Sequence, residues 1–295
     1  MLTLATIEFR TAIVHLSRPR LEAALKTAQL CAPFPIDDRR IAPQMLLFDE
    51  IDSTNRALWE LFDQNLLEGT VAIAARQTAG KGQWGRQWTS DLGGLYLSVA
   101  LTPNCSIEQS AQLTLCTAWG IVKALQDIPS RLSGTPEYIP VRLKWLNDLV
   151  VYQKKLGGIL TETRLHHQNI PKAIVGVGIN WSNPVPETGI NLKTILQEQS
   201  IPLIESLEML AAITIVGLIG GYQFWQTHGI EAVLLHYLDQ LTSLGQNIAI
   251  GEQSGTIVGV LPSGELHIRL CDFDELNRDA PDFYLKPGTI SLGYG

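Results

Sequence analysis

The run Gly80-Lys81-Gly82-Gln83-Trp84-Gly85 matches the pattern G-x-G-x-x-G, which raises the question of a dinucleotide or kinase phosphate loop. A dinucleotide loop must enter a helix whose N-terminus holds the pyrophosphate. Here the glycines run through Arg86-Gln87-Trp88-Thr89-Ser90 into the strand-like LYLSVAL of 95–101. A kinase needs H-R-D and D-F-G signatures, and a P-loop needs G-x-x-x-x-G-K-[ST]; the sequence contains none of them. What remains is a glycine-rich loop between two strands, with Lys81 and Arg86 as cations and Trp84 and Trp88 as aromatic caps. Glycines let backbone N–H groups approach an anion, the cations neutralise phosphate charge, and an indole can cover adenine. Taken alone, the loop fits a nucleotide-handling role and a surface hairpin with packed tryptophans equally well.

Two further clusters carry chemistry. Lys144-Trp145-Leu146-Asn147-Asp148 ends one strand, and Lys155-Leu156-Gly157-Gly158-Ile159-Leu160 begins a hairpin arm, so that Lys144, Asp148 and Lys155 can meet. Two cations and a carboxylate are the parts needed when a substrate carboxylate attacks the α-phosphate of ATP. Like unit charges about 4 Å apart at an effective dielectric near 20 repel by roughly 4 kcal/mol, which a lysine between them can offset. Solvated lysines on an exposed hairpin are the plainer alternative. Gly176-Val177-Gly178-Ile179-Asn180 is the third cluster: its glycines permit close approach, and Asn180 offers the donor and acceptor that an adenine edge requires. Taken alone, close strand packing with Asn180 starting a turn is the better reading of this cluster.

These residues need elements to place them. LLFDEI (46–51) reads as a strand, and 53–67 as a helix opened by Asp52 or Ser53, with Leu58, Leu61 and Phe62 on its buried face. VAIAAR and LYLSVAL follow as strands, 107–126 as a helix through Leu115, Trp119 and Val122, and VRLKW as a short strand. DLVVY and KLGGILTET suggest a hairpin turning at Gln153-Lys154, and AIVGVGI another strand. Helices are expected at 206–225 and 228–241, followed after Gly245 by short strands IAI, GTIVGVL, ELHIRL and TISLGY. Strands and helices mixed without strict alternation imply an α+β catalytic domain on a mixed or antiparallel sheet. The expected organisation is an accessory arm over 1–43 with a helix near Leu21–Leu30, a catalytic domain over 44–242, and a small β domain over 243–295.

The 295 residues are 45% apolar and 17% charged, which excludes a disordered or fibrous chain. A net charge of −7 argues against broad adhesion to nucleic acid, and Arg18, Arg20, Arg39 and Arg40 form no helical stripe. Cys31, Cys105, Cys116 and Cys271 contain no C-x-x-C and are read as reduced thiols, and His166 with His167 as a solvated loop pair rather than a zinc site. The apolar run Met209–Tyr222 is fourteen residues, where a bilayer span needs about 20, so a buried core helix is expected there. The N-terminus lacks a signal-peptide pattern, which makes the cytoplasm the expected location.

Six segments in order, Ser53-Thr54-Asn55, Gln77-Thr78-Ala79-Gly80-Lys81-Gly82, Arg86-Gln87-Trp88, Lys144-Trp145-Leu146-Asn147-Asp148, Lys155–Leu160 and Gly176–Asn180, resemble the biotin protein ligase family. The resemblance runs from about residue 46 to the C-terminus. It implies a class II synthetase-like catalytic domain, a C-terminal SH3-like barrel, and a two-step reaction. Biotin and Mg2+-ATP give biotinyl-5′-adenylate and pyrophosphate; a lysine of the biotin carboxyl carrier protein of acetyl-CoA carboxylase then displaces AMP. By motif position, Ser53, Thr54, Asn55 and Gln77 would line the ureido region, with Gly80, Lys81, Gly82 and Gln83 as the loop over biotin and phosphate. Gly158, Leu160 and Gly176 would complete the biotin site. Lys155 would bridge carboxylate and α-phosphate, Arg86 assist the phosphate, Trp88 cover adenine and Asn180 read its edge, with Lys81, Gln83, Lys144 and Asn147 also on the nucleotide. Asp148 would orient Lys155 or act as base toward the carrier lysine, and a structural ion pair fits it as well.

The chain departs from the family's pattern at Lys81 and Gln83, where arginine is commoner, and at Leu146, where proline is usual. Gln83 removes a charge from the loop, which implies leakier retention of the adenylate; Leu146 is expected to loosen its turn. The family's bifunctional members carry an N-terminal winged helix. The first forty-odd residues show no such pattern, so a ligase without a repressor domain, and no nucleic-acid or membrane partner, is expected. Homodimers are common in the family, though the residues themselves do not specify one. The competing readings are a lipoate or octanoyl ligase of the same fold, which would prefer an apolar tunnel, and a noncatalytic biotin or nucleotide sensor, which needs no phosphate clamp.

Overall fold

The computed structural model describes residues 16–37, 44–62, 64, 66–134, 136, 138–198, 204–251, 253–270, 281–289 and 292–293. Helix α1 (Arg18–Leu30) opens with Pro19 in its first turn, where the ring removes no intrahelical bond. It buries Leu21, Ala24, Leu25 and Ala28 in the main core, packed on the long helix described below. Residues 1–15 and 38–43 of the expected accessory arm, with Arg39 and Arg40, lie outside the described residues.

One eight-stranded sheet carries the site. Its strands are β1 (Met45–Phe48), β2 (Val71–Ala74), β3 (Leu95–Leu101), β4 (Cys105–Ser106), β5 (Arg142–Lys144), β6 (Asp148–Val151), β7 (Lys154–His166) and β8 (Asn169–Ile179). The order is β1-β2-β3-β8-β7-β6-β5, with β4 on β8; β1 and β2 are parallel and the other pairs antiparallel. This is the mixed sheet that the sequence implies. Helix α2 (Thr54–Phe62) lies on one face over β2, β3 and β8, and helix α3 (Ser110–Ser133) reaches β7 from the other. In β7, residues 158, 160 and 162 therefore face the α2 side, while Thr161 bonds the Thr114 hydroxyl of α3 at 2.8 Å.

Several boundaries differ from expectation. α2 stops at Phe62 rather than Leu67, and Leu67 is exposed. α3 starts after a single 3-10 turn at 107–109, closed by a capping box of Ser106 and Gln109, and extends to Ser133. The β6–β7 hairpin turns at Tyr152-Gln153, one residue earlier than expected, with φ of 49° and 66° that fit a primed two-residue turn. Helix α4 (Leu192–Glu198) escapes the sequence reading.

Helix α5 (Leu207–Gln240) breaks at Gly229, whose φ of 77° divides it into the two helices expected. It packs along α3, and 89% of its most apolar stretch is buried, as a core helix requires. Beyond it, β9 (Asn247–Ile250), β10 (Gln253–Val260), β11 (Leu266–Leu270) and β12 (Asp282–Leu285) form a separate antiparallel sheet in the order β12-β11-β10-β9. Among the described residues these strands do not close into a barrel. The expected strand TISLGY lies largely outside the described residues, with Thr289 in a turn, and its place as fourth strand is taken by β12. Cys31, Cys105 and Cys116 are free thiols; Cys271 lies outside the described residues.

Candidate active site

A cavity of about 540 Å3 lies over β3, β8, β7 and β6, within the size range of small-molecule sites. Its wall comprises the N-terminus of α2, the loop 81–89, the β5–β6 turn, residues 183–189, and Pro287, Gly288, Thr289 and Leu292 near the C-terminus. Every residue assigned from sequence lines it except Gly80. Gly80 sits behind the wall, where an added Cβ would meet Ser90 Oγ at 2.4 Å and the Trp88 carbonyl at 2.5 Å. Its smallness serves packing of the loop base.

The closed end is a buried polar network. Ser53, Thr54 and Asn55 are 4%, 3% and 5% exposed at the start of α2, where backbone N–H groups lack intrahelical acceptors. Gln77 Oε1 supplies one, accepting from Thr54 N at 2.8 Å, while Gln77 Nε2 donates to Ser90 Oγ at 3.0 Å. Thr54 Oγ1 lies 3.1 Å from the same Gln77 oxygen. Ser98 Oγ, from β3, lies 2.6 Å from Asn55 Oδ1 and 2.7 Å from Thr54 Oγ1. Asn55 Nδ2 donates to Glu162 Oε2 at 2.8 Å. Gly176 must be glycine, since a Cβ there would stand 2.3 Å from Asn55 Oδ1.

The other end is cationic and more open. Lys81 and Arg86 are exposed on the loop, which is closed by Gly82 N donating to the Arg86 carbonyl at 2.7 Å. Trp84, at φ 60°, turns outward against Gly288, so it caps the C-terminal stretch more than the cavity floor. The Trp88 indole lies against Gly178, where a Cβ would approach its Nε1 to 2.6 Å. Lys155 Nζ is 5.4 Å from the Trp88 ring centroid and 2.7 Å from Asp148 Oδ1. Asp148 opens β6 opposite Gly158, so the hairpin brings the pair together as expected.

Lys144, across β5–β6 from Asp148, donates from Nζ to the Gly293 carbonyl. Burial pulls the Lys144 ammonium below the ordinary lysine range; Lys155 adds to the effect and Asp148 opposes it. Asn147 lines the cavity while its Nδ2 donates to the Ile159 carbonyl at 2.6 Å. Asn180 Oδ1 accepts from Asn183 Nδ2 at 3.0 Å, and its Nδ2 faces the Lys155 carbonyl at 3.4 Å. The turn at Leu146 is not loose: its carbonyl accepts from Tyr237 Oη at 2.9 Å, and Trp145 Nε1 donates to the Gly264 carbonyl at 2.9 Å. Tertiary bonds do there what proline does by ring closure.

Among the described residues no group of three or more His, Cys, Asp or Glu side chains could hold a metal ion. Sequence reasoning missed Ser98, Ser90, Asn183 and the C-terminal residues Pro287, Gly288, Thr289 and Leu292. A serine at the centre of the apolar LYLSVAL is a signal of its own; nothing local marks the C-terminal stretch.

The family model for the biotin/lipoate A/B protein ligase family matches residues 47–180. The bifunctional ligase/repressor BirA of Bacillus subtilis is 28% identical over 229 residues, 77% of this chain and 68% of that protein. A biotin--[acetyl-CoA-carboxylase] ligase from Paracoccus denitrificans is 26% identical over 231 residues, 74% of this chain and 91% of that one. The structure of a biotin protein ligase from Aquifex aeolicus in complex with biotin and ATP superimposes with a TM-score of 0.62 at 25% identity, covering 82% of this chain and 95% of that one.

Proposed function

Because the chain belongs to the biotin protein ligases, within the biotin/lipoate A/B protein ligase family, we propose that this cavity performs ATP-dependent biotin ligation on a carrier protein. The observation that carries the reading is the pairing, in one cavity, of a buried neutral hydrogen-bonding end with a cationic end, with Lys155 on the same wall. A ureido ring offers two N–H donors and a carbonyl acceptor, which the network around Thr54, Asn55 and Gln77 can match. A dithiolane or alkyl chain would cover this network without offering the Thr54 hydroxyl a donor, which disfavours the lipoyl alternative.

In the first step a biotin carboxylate oxygen attacks the α-phosphorus of ATP and pyrophosphate leaves. Both reactants are anions, and the Lys155 ammonium lowers their mutual repulsion, while Asp148 holds that ammonium in place. Lys144, Lys81 and Arg86 receive the phosphates, and Trp88 and Asn180 the base. Magnesium carried in on the ATP phosphates would supply further charge neutralisation there. In the second step a deprotonated carrier lysine attacks the acyl carbon and AMP leaves. Asp148, the carboxylate paired with Lys155, is the proposed acceptor of the amine proton. The carrier proposed is the biotin carboxyl carrier protein of acetyl-CoA carboxylase, on the strength of the Paracoccus relative's specificity.

The reading is tested by incubating the protein with biotin, Mg2+-ATP and apo carrier domain while following pyrophosphate release and carrier mass. The expected result is one biotin added per carrier, with Lys155→Ala reducing adenylation by at least about 1,000-fold. Unaltered turnover in that variant would remove Lys155 from its role.

A further inference from the structure

We propose that Glu162, outside the cavity wall, is a positioning residue: through Asn55 and Ser98 it fixes the Thr54 hydroxyl as a hydrogen-bond acceptor, so that the closed end selects a ligand bearing an N–H. The inference rests on the biotin-ligase reading and names how that site chooses its ligand.

Glu162 lies on the α2-facing side of β7, two residues beyond Leu160, and its Oε2 accepts from Asn55 Nδ2 at 2.8 Å and from Trp59 Nε1 at 3.3 Å. Trp59 is in turn covered by the Arg164 guanidinium, 4.4 Å from its ring centroid. The carboxylate is thus held by donors from two successive turns on one face of α2. A carboxylate only accepts, so it admits one of the two orientations of the Asn55 amide: Nδ2 inward to Glu162 and Oδ1 toward Ser98. An apolar side chain at 162 would leave that amide free to flip.

The orientation propagates through single protons. Asn55 Oδ1 can only accept, and it takes the one Ser98 proton across 2.6 Å. The Ser98 oxygen is then an acceptor toward Thr54 at 2.7 Å, and Gln77 Oε1, at 3.1 Å, is another. Whichever of these receives the Thr54 proton, it points into the protein. A Thr54 lone pair is what remains for the cavity that Thr54 lines. A ureido N–H meets that lone pair productively, whereas an ether oxygen in the same place would meet it lone pair to lone pair. A site built to pair with a substrate donor rejects analogues lacking it far more strongly than a shape-matched apolar pocket does.

The experiment compares biotin with the two carbamate analogues in which one ureido N–H is replaced by oxygen, using pyrophosphate release by the full chain with Mg2+-ATP. Wild type should prefer biotin in kcat/KM by on the order of 100-fold over at least one analogue. Glu162→Leu should raise the biotin KM about tenfold, leave the ATP KM unchanged, and reduce the preference about tenfold. Glu162→Gln retains an acceptor for Asn55 and should restore most of the preference. Ser98→Ala cuts the relay without touching Glu162 and should lose the preference similarly, which keeps the test decisive if Glu162→Leu fails to fold. Unchanged preference in Glu162→Leu or in Ser98→Ala overturns the relay, as does an equal loss on biotin and both analogues, which a merely structural carboxylate would give. A wild-type protein inactive on biotin would instead sink the functional reading, and the relay with it.

Discussion

The two ends of the cavity are built on different principles. At the closed end Ser53, Thr54, Asn55 and Ser98 are buried, and α2, β3, β7 and β8 each contribute at least one bond or close contact to the Asn55 amide and its neighbours. At the open end the charges ride on the loop 81–89 and the β5–β6 turn, and Lys81 and Arg86 are exposed. A neutral ring is recognised only by short-range directional bonds, which are worth most when dry and cost nothing to assemble if already in place. Phosphate charge acts over longer distances and tolerates water and movement, so it needs cations nearby more than it needs a fixed frame. The architecture assigns rigidity to the half that must discriminate and leaves exposed the half that must admit a large polyanion and later a carrier lysine.

The sharpest way to break this contrast is Gly176→Ala. The methyl would have to displace an Asn55 amide that is only 2.3 Å away and bonded on both sides. Because that amide ends a side chain, the fold should yield at a cost of about 1–3 kcal/mol. Binding should suffer more: losing the oriented amide raises the biotin KM on the order of 100-fold while the ATP KM stays within about twofold. Equal effects on both substrates, measured by pyrophosphate release, would mean that the two ends are one coupled unit.

The open end answers to charge. Arg86→Ala should raise the ATP KM about tenfold, since charge-assisted bonds are worth about 1.5–3 kcal/mol, and leave the biotin KM nearly unchanged. Raising salt from about 0.05 to about 0.5 M should raise the ATP KM severalfold with little effect on biotin, because exposed cations are screened and buried neutral bonds are not. A biotin KM as salt-sensitive as that for ATP would show that the closed end also depends on exposed charge.

Lys144 provides a finer test. Burial and the neighbouring Lys155 lower its pKa, so the ammonium loses its proton at a lower pH than an ordinary lysine as pH rises. Phosphate affinity should therefore fall a few-fold on the alkaline side. Lys144→Arg, which keeps its charge throughout that range, should push the fall to higher pH. An ATP KM profile that the arginine leaves unmoved would take Lys144 off the phosphates.

How much of this was legible in the sequence follows the same division. Thr54, Gln77, Lys155 and Gly176 belong to short ordered motifs, and the strands holding them show as apolar runs, so the catalytic sheet and most of the wall were readable. Glu162 was not, because its partner Asn55 lies 107 residues away and only the β3-β8-β7 order brings α2 over it. Pro287, Gly288, Thr289 and Leu292 were missed for a related reason: they reach the cavity through tertiary contacts, as Lys144 to Gly293 and Trp84 against Gly288 illustrate. The hairpin turn slipped by one residue because Tyr152 and Gln153 adopt positive φ without the glycine or asparagine that usually announces it.

Gln83→Arg should have the smallest effect and says most about how dry the open end becomes. Gln83 begins a one-turn 3-10 helix (Gln83–Gly85) whose Trp84 packs outward on Gly288, and Lys81 and Arg86 already bring two positive charges to the same loop. One more cation in water adds about 1 kcal/mol or less, so release of biotinyl-5′-adenylate, followed by rapid gel filtration of the labelled intermediate, should slow by no more than about fivefold. An unchanged release rate would mean that the missing arginine does not weaken retention. A slowing of 100-fold or more would mean that the loop excludes water once the intermediate has formed, because only a desolvated charge is worth that much. The open end would then become, for the lifetime of the adenylate, as closed as the neutral end is from the start.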